Sequence, residues 1–598
     1  MSVRPGFRTG FVLLTFLFAC SMVHGRSILQ QMSGFADTVV DLGPETMAGH
    51  RLVKRSPLVQ EIMGPLSRNV RQVDEIGRSK MVYSSMRVLL TLLRMRLGKS
   101  PQIEILQFNN WDKTIQVDQL FFVKPKTIWE VRRVIFAAWS MGMRVRATGA
   151  GHSRSPLYVD EGNIMMDMRE LQRHDGPFIE LHEMNEERPF KTVTAMTGAH
   201  MFELNEFMTN NNVSIKTEPL NDQETLGGMV AAGSHGSTYD SPAFPGIVVE
   251  MRLMDSMGRL RRFTIERHPE LMRALSLNLG TFGIMYDITI RVEPSIKVKV
   301  ENSFVKVGDI MLNQANLKRQ VEENFFGEIS WFPFNTITPA EEAEYIRTGK
   351  VPDTWSAAED YLWIRTVNPV SDDEVGNHPI QGAVTLDTKG SLSGGPAVGL
   401  LRAKGSLDLA RKLPNFSYHY LVNAFPIIEP PRYGSETSAA FLLNIDRDFD
   451  RPYRAIKYLV EKTEDQIRRN GSTPMNALLP RFFKNSDCFL CFGNTEITMP
   501  DDNGHSVVID FLAPPTQEGF YSAAADFVHQ FKDEKLRPHW AKRHDNIDGI
   551  VDIIQNVYKD LIPAFVEQKQ MAMVDPCDMF MNSYLLSIFG KSQTCFFY

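Results

Sequence analysis

The chain has 598 residues, 43% hydrophobic and 23% charged, a balance that fits folded globular domains and excludes a disordered, collagen-like or coiled-coil chain. Lysine and arginine number 65 against 71 aspartates and glutamates, a net charge of −6, so the basic excess that nucleic-acid partners require is missing and no nucleic acid is expected. The length predicts about three or four structural units at roughly 150 residues each.

Arg4 and Arg8 precede an apolar run, Phe11 to Val23, shorter than the roughly 20 residues of a spanning helix. This pattern reads as a secretory signal over residues 1–25, cleaved near Val23-His24-Gly25, and places the chain outside the cell or in the ER lumen. Cys20 lies in the signal; Cys488, Cys491, Cys577 and Cys595 remain, an even number suited to an oxidising compartment. Cys488-x-x-Cys491 has no second C-x-x-C, so a structural disulfide or buried thiols is expected rather than a metal or redox pair. Asn212, Asn415 and Asn470 each open an Asn-x-Ser triplet, glycosylation acceptors on that route.

Residues 26–103 form an extension. Within it Lys54-Arg55 is a processing site or surface charge, and Tyr83 to Leu97 has helical spacing of apolar residues. From Phe108 the texture changes. Leu120 to Val123 predicts a strand, Ile128 to Met141 an amphipathic helix, Met143 to Ala147 a second strand, and glycines follow directly, an α/β nucleotide-binding rhythm. It continues to about Pro294. Residues 368–400, with Lys389 to Gly395, read as a loop-rich surface insertion.

Four stretches carry chemistry. Thr148-Gly149-Ala150-Gly151-His152-Ser153 follows a strand, where glycines let backbone N–H groups approach a pyrophosphate. Arg154 stands where a dinucleotide fingerprint would place its last glycine, and no Gly-Lys-Ser/Thr ends the turn, so it is neither a Rossmann fingerprint nor a P-loop. Thr225 to Ser237 is a run of small residues, fit for a flat ring or phosphate against the backbone, or for close helix packing. Leu279-Gly280-Thr281-Phe282-Gly283-Ile284 runs into a strand from Met285 to Val292, and His539-Trp540-Ala541-Lys542 follows Arg537-Pro538. The remaining histidines, such as His174, His182 and His200, lack metal-ligand spacing, and no metal is expected.

In this order and at these distances, the four stretches and the closing Asp575 to Asn582 segment resemble the vanillyl-alcohol-oxidase superfamily of flavoproteins, within it the aldonolactone oxidases, with alditol oxidases as close relatives. The resemblance runs from about residue 108 to the end. It implies an α+β fold: a two-lobed FAD domain over 104–296, then a substrate domain over 297–598 built on an antiparallel sheet, whose His539–Lys542 segment returns to the flavin. It places Gly149, Ala150, Gly151, His152 and Ser153 over the FAD pyrophosphate, with His152 the point of covalent attachment. Gly227, Gly228, Gly233, Ser234, His235 and Gly236 would run past the flavin, and Gly280 and Gly283 would line its site. Lys542 would be the cation near flavin N1; His539 would hold the substrate, act as a base or simply pack beside Trp540.

The resemblance has one departure. Relatives carry a Glu-x-Arg pair on a strand facing flavin and substrate; the matching place is Leu479-Pro480-Arg481, which keeps the arginine and lacks the carboxylate. The implied reaction is oxidation of a CH–OH group of a lactone, polyol or related alcohol by hydride transfer to flavin, with molecular oxygen as acceptor and peroxide as product. The alternatives are a dehydrogenase with another acceptor and a secreted flavin-binding protein without turnover. Membrane association stays open, since Leu585 to Phe589 is apolar and short.

Overall fold

The computed structural model describes residues 75–382, 385–387, 398–425, 427–429 and 436–591. The signal-like run, Lys54-Arg55, the stretch 389–395 and Cys595 lie outside them. The described residues form two compact units, one over 75–106 with 119–123, the other over those of 107–118 and 124–591. In the first, the helix expected from Tyr83 begins earlier, as Glu75–Leu97. Met86, Leu89, Leu93 and Leu97 are buried at helical spacing, and the Arg94 guanidinium donates to the Ile103 carbonyl.

In the second unit, helix Ile128–Ser140 starts at a capping box: Thr127 Oγ1 accepts from Glu130 N–H, and the Glu130 carboxylate accepts from Thr127 N–H. The strand after it is Val145–Thr148, paired in parallel with Ile164–Asp167. An antiparallel five-stranded sheet follows, in the order Ile179–His182, Thr192–Met196, Ile284–Arg291, Val248–Met254 and Leu260–Thr264. Val193, Ala195, Met251, Leu253, Ile288 and Ile290 enter the main core, while Thr194, Arg252, Asp287 and Thr289 line a polar hollow, the alternation of a sheet with one buried face.

A nine-stranded sheet forms the second layer, in the order Ile380–Gln381, Phe416–Tyr420, Lys297–Lys306, Tyr361–Pro369, Phe326–Trp331, Ala477–Lys484, Asp502–Ala513, Thr437–Asp446 and Arg537–Pro538. Its pairings are antiparallel except that of the short Ile380–Gln381 edge. One face sends Ile329, Trp331, Ile364, Phe441, Ile509 and Phe511 into the main core. Helix Asp450–Asn470 packs there, burying Ile456, Leu459, Val460 and Ile467. The opposite face carries Arg365, Glu328, Arg481 and Asp510, all buried.

Pro480 lies in an interior strand of this sheet rather than at an edge. It has no N–H to donate, and the neighbouring strand Phe326–Trp331 pairs with the Pro480 strand at one position, Trp331 with Leu478. The small-residue run fills the gap beyond. Ser237 Oγ donates to the Gly327 carbonyl and accepts from Phe482 N–H, Gly327 N–H donates to the Ser237 carbonyl, and Thr238 bridges Phe326. The end of the small-residue run, at Ser237 and Thr238, is thus wedged between two strands of the sheet.

The C-terminal stretch docks under strand Val145–Thr148. Val145 N–H donates to Met579 O, and Asp575 accepts from the N–H groups of Met579 and Phe580. Leu585 and Ile588 of the apolar tail are buried in helix Ser583–Phe589, and no described helix is long and apolar enough to cross a membrane. Cys488 and Cys491 form a buried disulfide, and Cys577 is also disulfide-bonded.

Arg146 locks the strand to its surroundings. Its guanidinium donates to the carbonyls of Leu157, Leu279 and Phe580, each at 2.7 Å. Burial lowers its pKa to about 10, still charged at neutral pH. Arg146→Met leaves those buried acceptors without a donor and is expected to cost about 3–5 kcal/mol, read as a fall in the urea midpoint at unchanged slope; an unchanged midpoint would contradict the clamp.

Candidate flavin site

In the loop after strand Val145–Thr148 two carbonyls are bonded while four amides are free of partners among the described residues. The Gly151 carbonyl accepts from Trp111 N–H at 2.8 Å, and the Ser153 carbonyl from Asn110 Nδ2 at 3.0 Å and Tyr158 Oη at 2.8 Å. The N–H groups of Ala150, Gly151, His152 and Ser153 donate to no group among the described residues. These residues are half-buried, and a run of backbone N–H groups with no acceptor forms an anion cradle. These residues fit a dinucleotide pyrophosphate. Gly149 is required because a Cβ there would lie 1.9 Å from Thr225 Oγ1. Gly283 is held at φ +153, where a Cβ would lie 2.5 Å from the Met254 carbonyl.

The loop lines a cavity of about 410 Å³. Of the residues singled out in the sequence, Gly149, Ala150, Gly151, His152, Ser153, Gly227, Gly228, Ser234, His235, Gly280 and Gly283 line it, together with Arg481, His539 and Lys542. Gly233 and Gly236 do not. Gly233 ends helix Leu226–Ala232 in a left-handed turn beneath Phe492, and Gly236 abuts the Glu218 backbone, so close packing explains both.

The His539–Lys542 segment reaches the loop directly. Arg154 N–H donates to Ala541 O at 2.7 Å, and Ser155 Oγ donates to Trp540 O. The same segment extends the sheet, His539 N–H donating to Ala440 O at 2.9 Å. Trp540 is buried, its indole N–H held by Leu490 O at 2.8 Å. Lys542 Nζ lies 3.3 Å from Asp510 Oδ2; burial lowers the Lys542 pKa and Asp510 opposes that shift.

His152 is stacked on Trp111 with ring centroids 5.2 Å apart. Burial, then Arg154, His200 and Lys542, lowers its pKa to about 3, so the ring is neutral at pH 7. Asn221 Nδ2 donates to His152 Nδ1 at 3.1 Å, while Asn221 Oδ1 accepts from Gln223 N–H, which fixes the amide. The Nδ1 atom therefore carries the lone pair. His539 is neutral too, its pKa pushed well below the usual value by burial, then by His235 and Lys542. Its Nδ1 accepts from Ala541 N–H at 3.0 Å, leaving Nε2–H as a donor. Of the roles considered for His539, this geometry suits holding an oxygen better than removing a proton.

Sequence reasoning missed Trp111, Arg154, Asn221, Glu328 and Asp510. Arg154 pairs with Asp112 at 3.2 Å, and Glu328 and Asp510 line the cavity from strands whose register no local motif reveals. No group of three or more metal-ligating side chains occurs among the described residues.

Residues 120–264 match the family of FAD binding domains. The chain is 21% identical over 498 residues to L-gulonolactone oxidase of Scyliorhinus torazame, covering 81% of this chain and 98% of that protein. It is 26% identical over 230 residues to D-arabinono-1,4-lactone oxidase of Candida albicans, where the match spans 38% of this chain and 41% of the relative. The fold resembles that of cholesterol oxidase from Brevibacterium sterolicum, at a TM-score of 0.67 and 15% identity over 82% of this chain and 98% of that one. Residues 120–264 thus match an FAD binding domain, in a chain whose fold, with its large, mostly antiparallel sheet, is like that of cholesterol oxidase and which has aldonolactone oxidases among its distant relatives.

His544, behind Lys542, is buried and donates from Nδ1 to the Lys542 carbonyl at 2.8 Å. Burial lowers its pKa to about 4. Below pH ~6.5 the unfolded chain protonates this ring and the folded chain does not, so its contribution to stability falls with pH down to about 4. The stability gap between wild type and His544→Gln should narrow by about 1.4 kcal/mol per pH unit across that window, measured by urea unfolding; a constant gap would contradict a buried neutral ring.

Proposed function

We propose that this chain is an FAD-dependent oxidase acting on the CH–OH group of a sugar lactone, polyol or related alcohol, with molecular oxygen as acceptor and hydrogen peroxide as product. The observation that carries the reading is the single cavity that joins the free amides of Ala150–Ser153 to Lys542, His539 and Arg481. The relatives named as lactone oxidases support the substrate class.

Bound FAD would supply the hydride acceptor and the link to oxygen. The chain's own residues do the rest. Ala150 to Ser153 hold the diphosphate by N–H donation, and His152 Nδ1, neutral and carrying the lone pair, is the atom for covalent attachment. Lys542, with its Nζ 3.3 Å from Asp510 Oδ2, lines the same cavity and in its charged form would stabilise negative charge on the reduced ring. The His539 Nε2–H donates to the substrate oxygen, and Arg481 holds a second oxygen. The buried walls exclude water and strengthen each of these interactions.

We also place the protein in the secretory pathway. The asparagines of all three glycosylation triplets are exposed, and the cysteines at 488, 491 and 577 are disulfide-bonded, as an oxidising compartment favours.

Acid precipitation tests the attachment: wild type should keep its yellow colour in the pellet, and His152→Ala should release it to the supernatant. Colour released from wild type would contradict covalency. Lys542→Met should lower peroxide release with alcohol substrates by about 100-fold or more. Unchanged turnover would remove Lys542 from the reaction.

A further inference from the structure

The strand that carries Arg481 offers leucine where relatives offer a carboxylate, and the register of the sheet shows what stands beside it. Leu479 and Arg481 are two residues apart and share the cavity face. Leu479 is directly opposite Asp510 on the neighbouring antiparallel strand. Directly opposed side chains leave the sheet about 5 Å apart, so the Asp510 carboxylate stands beside the place a carboxylate at 479 would take. Asp510 is buried and lines the cavity. Its two oxygens differ: Oδ2 faces Lys542 Nζ at 3.3 Å, whereas Oδ1 is buried with no hydrogen-bond partner. A buried carboxylate oxygen left unpaired is costly unless a ligand completes it.

Glu328 is the other carboxylate on this face, and it has a different neighbour. It lies directly opposite Arg365; burial raises its pKa while Arg481 and Arg365 oppose that shift. Its position opposite Arg365 sets it apart from Asp510, whose partner is Lys542.

We propose that Asp510 Oδ1 accepts a hydrogen bond from a substrate hydroxyl, so that the carboxylate missing at position 479 is supplied from one strand over while Asp510 Oδ2 holds Lys542. The inference rests on the alcohol-oxidase reading, and it defines the substrate group in contact with Asp510 as a hydroxyl donor rather than an ether or a carbonyl. It also explains how Leu479 is compatible with turnover: the function has moved across the ladder.

The test uses the FAD-loaded full chain and four probe alcohols: L-gulonolactone, D-arabinono-1,4-lactone, xylitol and cholesterol. Peroxide release gives kcat and KM for each probe that wild type oxidises. Calorimetric titration of that probe into dithionite-reduced enzyme gives Kd without turnover. Asp510→Asn, close in shape, should raise KM and Kd by about 10- to 100-fold, the loss expected for one charge-assisted hydrogen bond. Leu479→Glu in the Asp510→Asn background returns the carboxylate to the other strand and should recover at least half of that loss on a logarithmic scale. An active wild type whose KM and Kd are unmoved in Asp510→Asn, or a double variant with no recovery, overturns the inference and leaves the oxidase reading standing. A wild type that takes up FAD but oxidises none of the four probes overturns that reading, and the inference with it.

Discussion

The site depends on one seam: Arg154 N–H to the Ala541 carbonyl, with Ser155 Oγ to the Trp540 carbonyl beside it. These bonds join residues nearly 400 positions apart in sequence. Without them the amide cradle and the lysine would be separate features of separate layers. Both sides of the seam are held from behind. On one, Asn110, Trp111 and Tyr158 hold the loop carbonyls; on the other, Trp540 is buried and His539 is bonded to the strand Thr437–Asp446. The geometry is therefore set by the protein before any ligand arrives, which is what an electrostatically preorganised site requires.

Charge on the cavity face follows from the sheet. Arg365, Glu328, Arg481, Asp510 and Lys542 alternate in sign from strand to strand and onto the returning segment. Each buried charge has an opposite charge nearby, which offsets part of its desolvation. Burial lowers the Lys542 pKa, and Asp510 opposes that shift. The three neutral histidines around it, His152, His235 and His539, are all lowered by burial in the first place, so the local field is dominated by lysine, arginine and carboxylate rather than imidazolium.

Much of this was legible in the sequence. Glycines at 149 and 283 mark close backbone approach and Gly151 a positive φ, and the helix and strands around residues 128–148 follow from periodicity, displaced by a residue or two at their ends. The three residues chosen for chemistry, Arg481, His539 and Lys542, do converge on one cavity. Gly233 and Gly236 show the limit of the method: a small residue needed for packing against Phe492 or Glu218 looks the same as one needed for a cofactor. Asp510 and Glu328 show another. They are isolated acids in apolar strands, and their meaning lies in which residue stands opposite, a property of register and not of local spacing. Pro480 lies in an interior strand, where the Ser237 segment supplies contacts its missing N–H cannot.

The central claim is that the loop at 149–153 and Lys542 serve one flavin. An experimental structure of the full chain reconstituted with FAD tests it most directly. The account predicts the pyrophosphate on the amides of Ala150 to Ser153 and the ring system in contact with Lys542. A dinucleotide bound elsewhere, or a chain that takes up none, would contradict it.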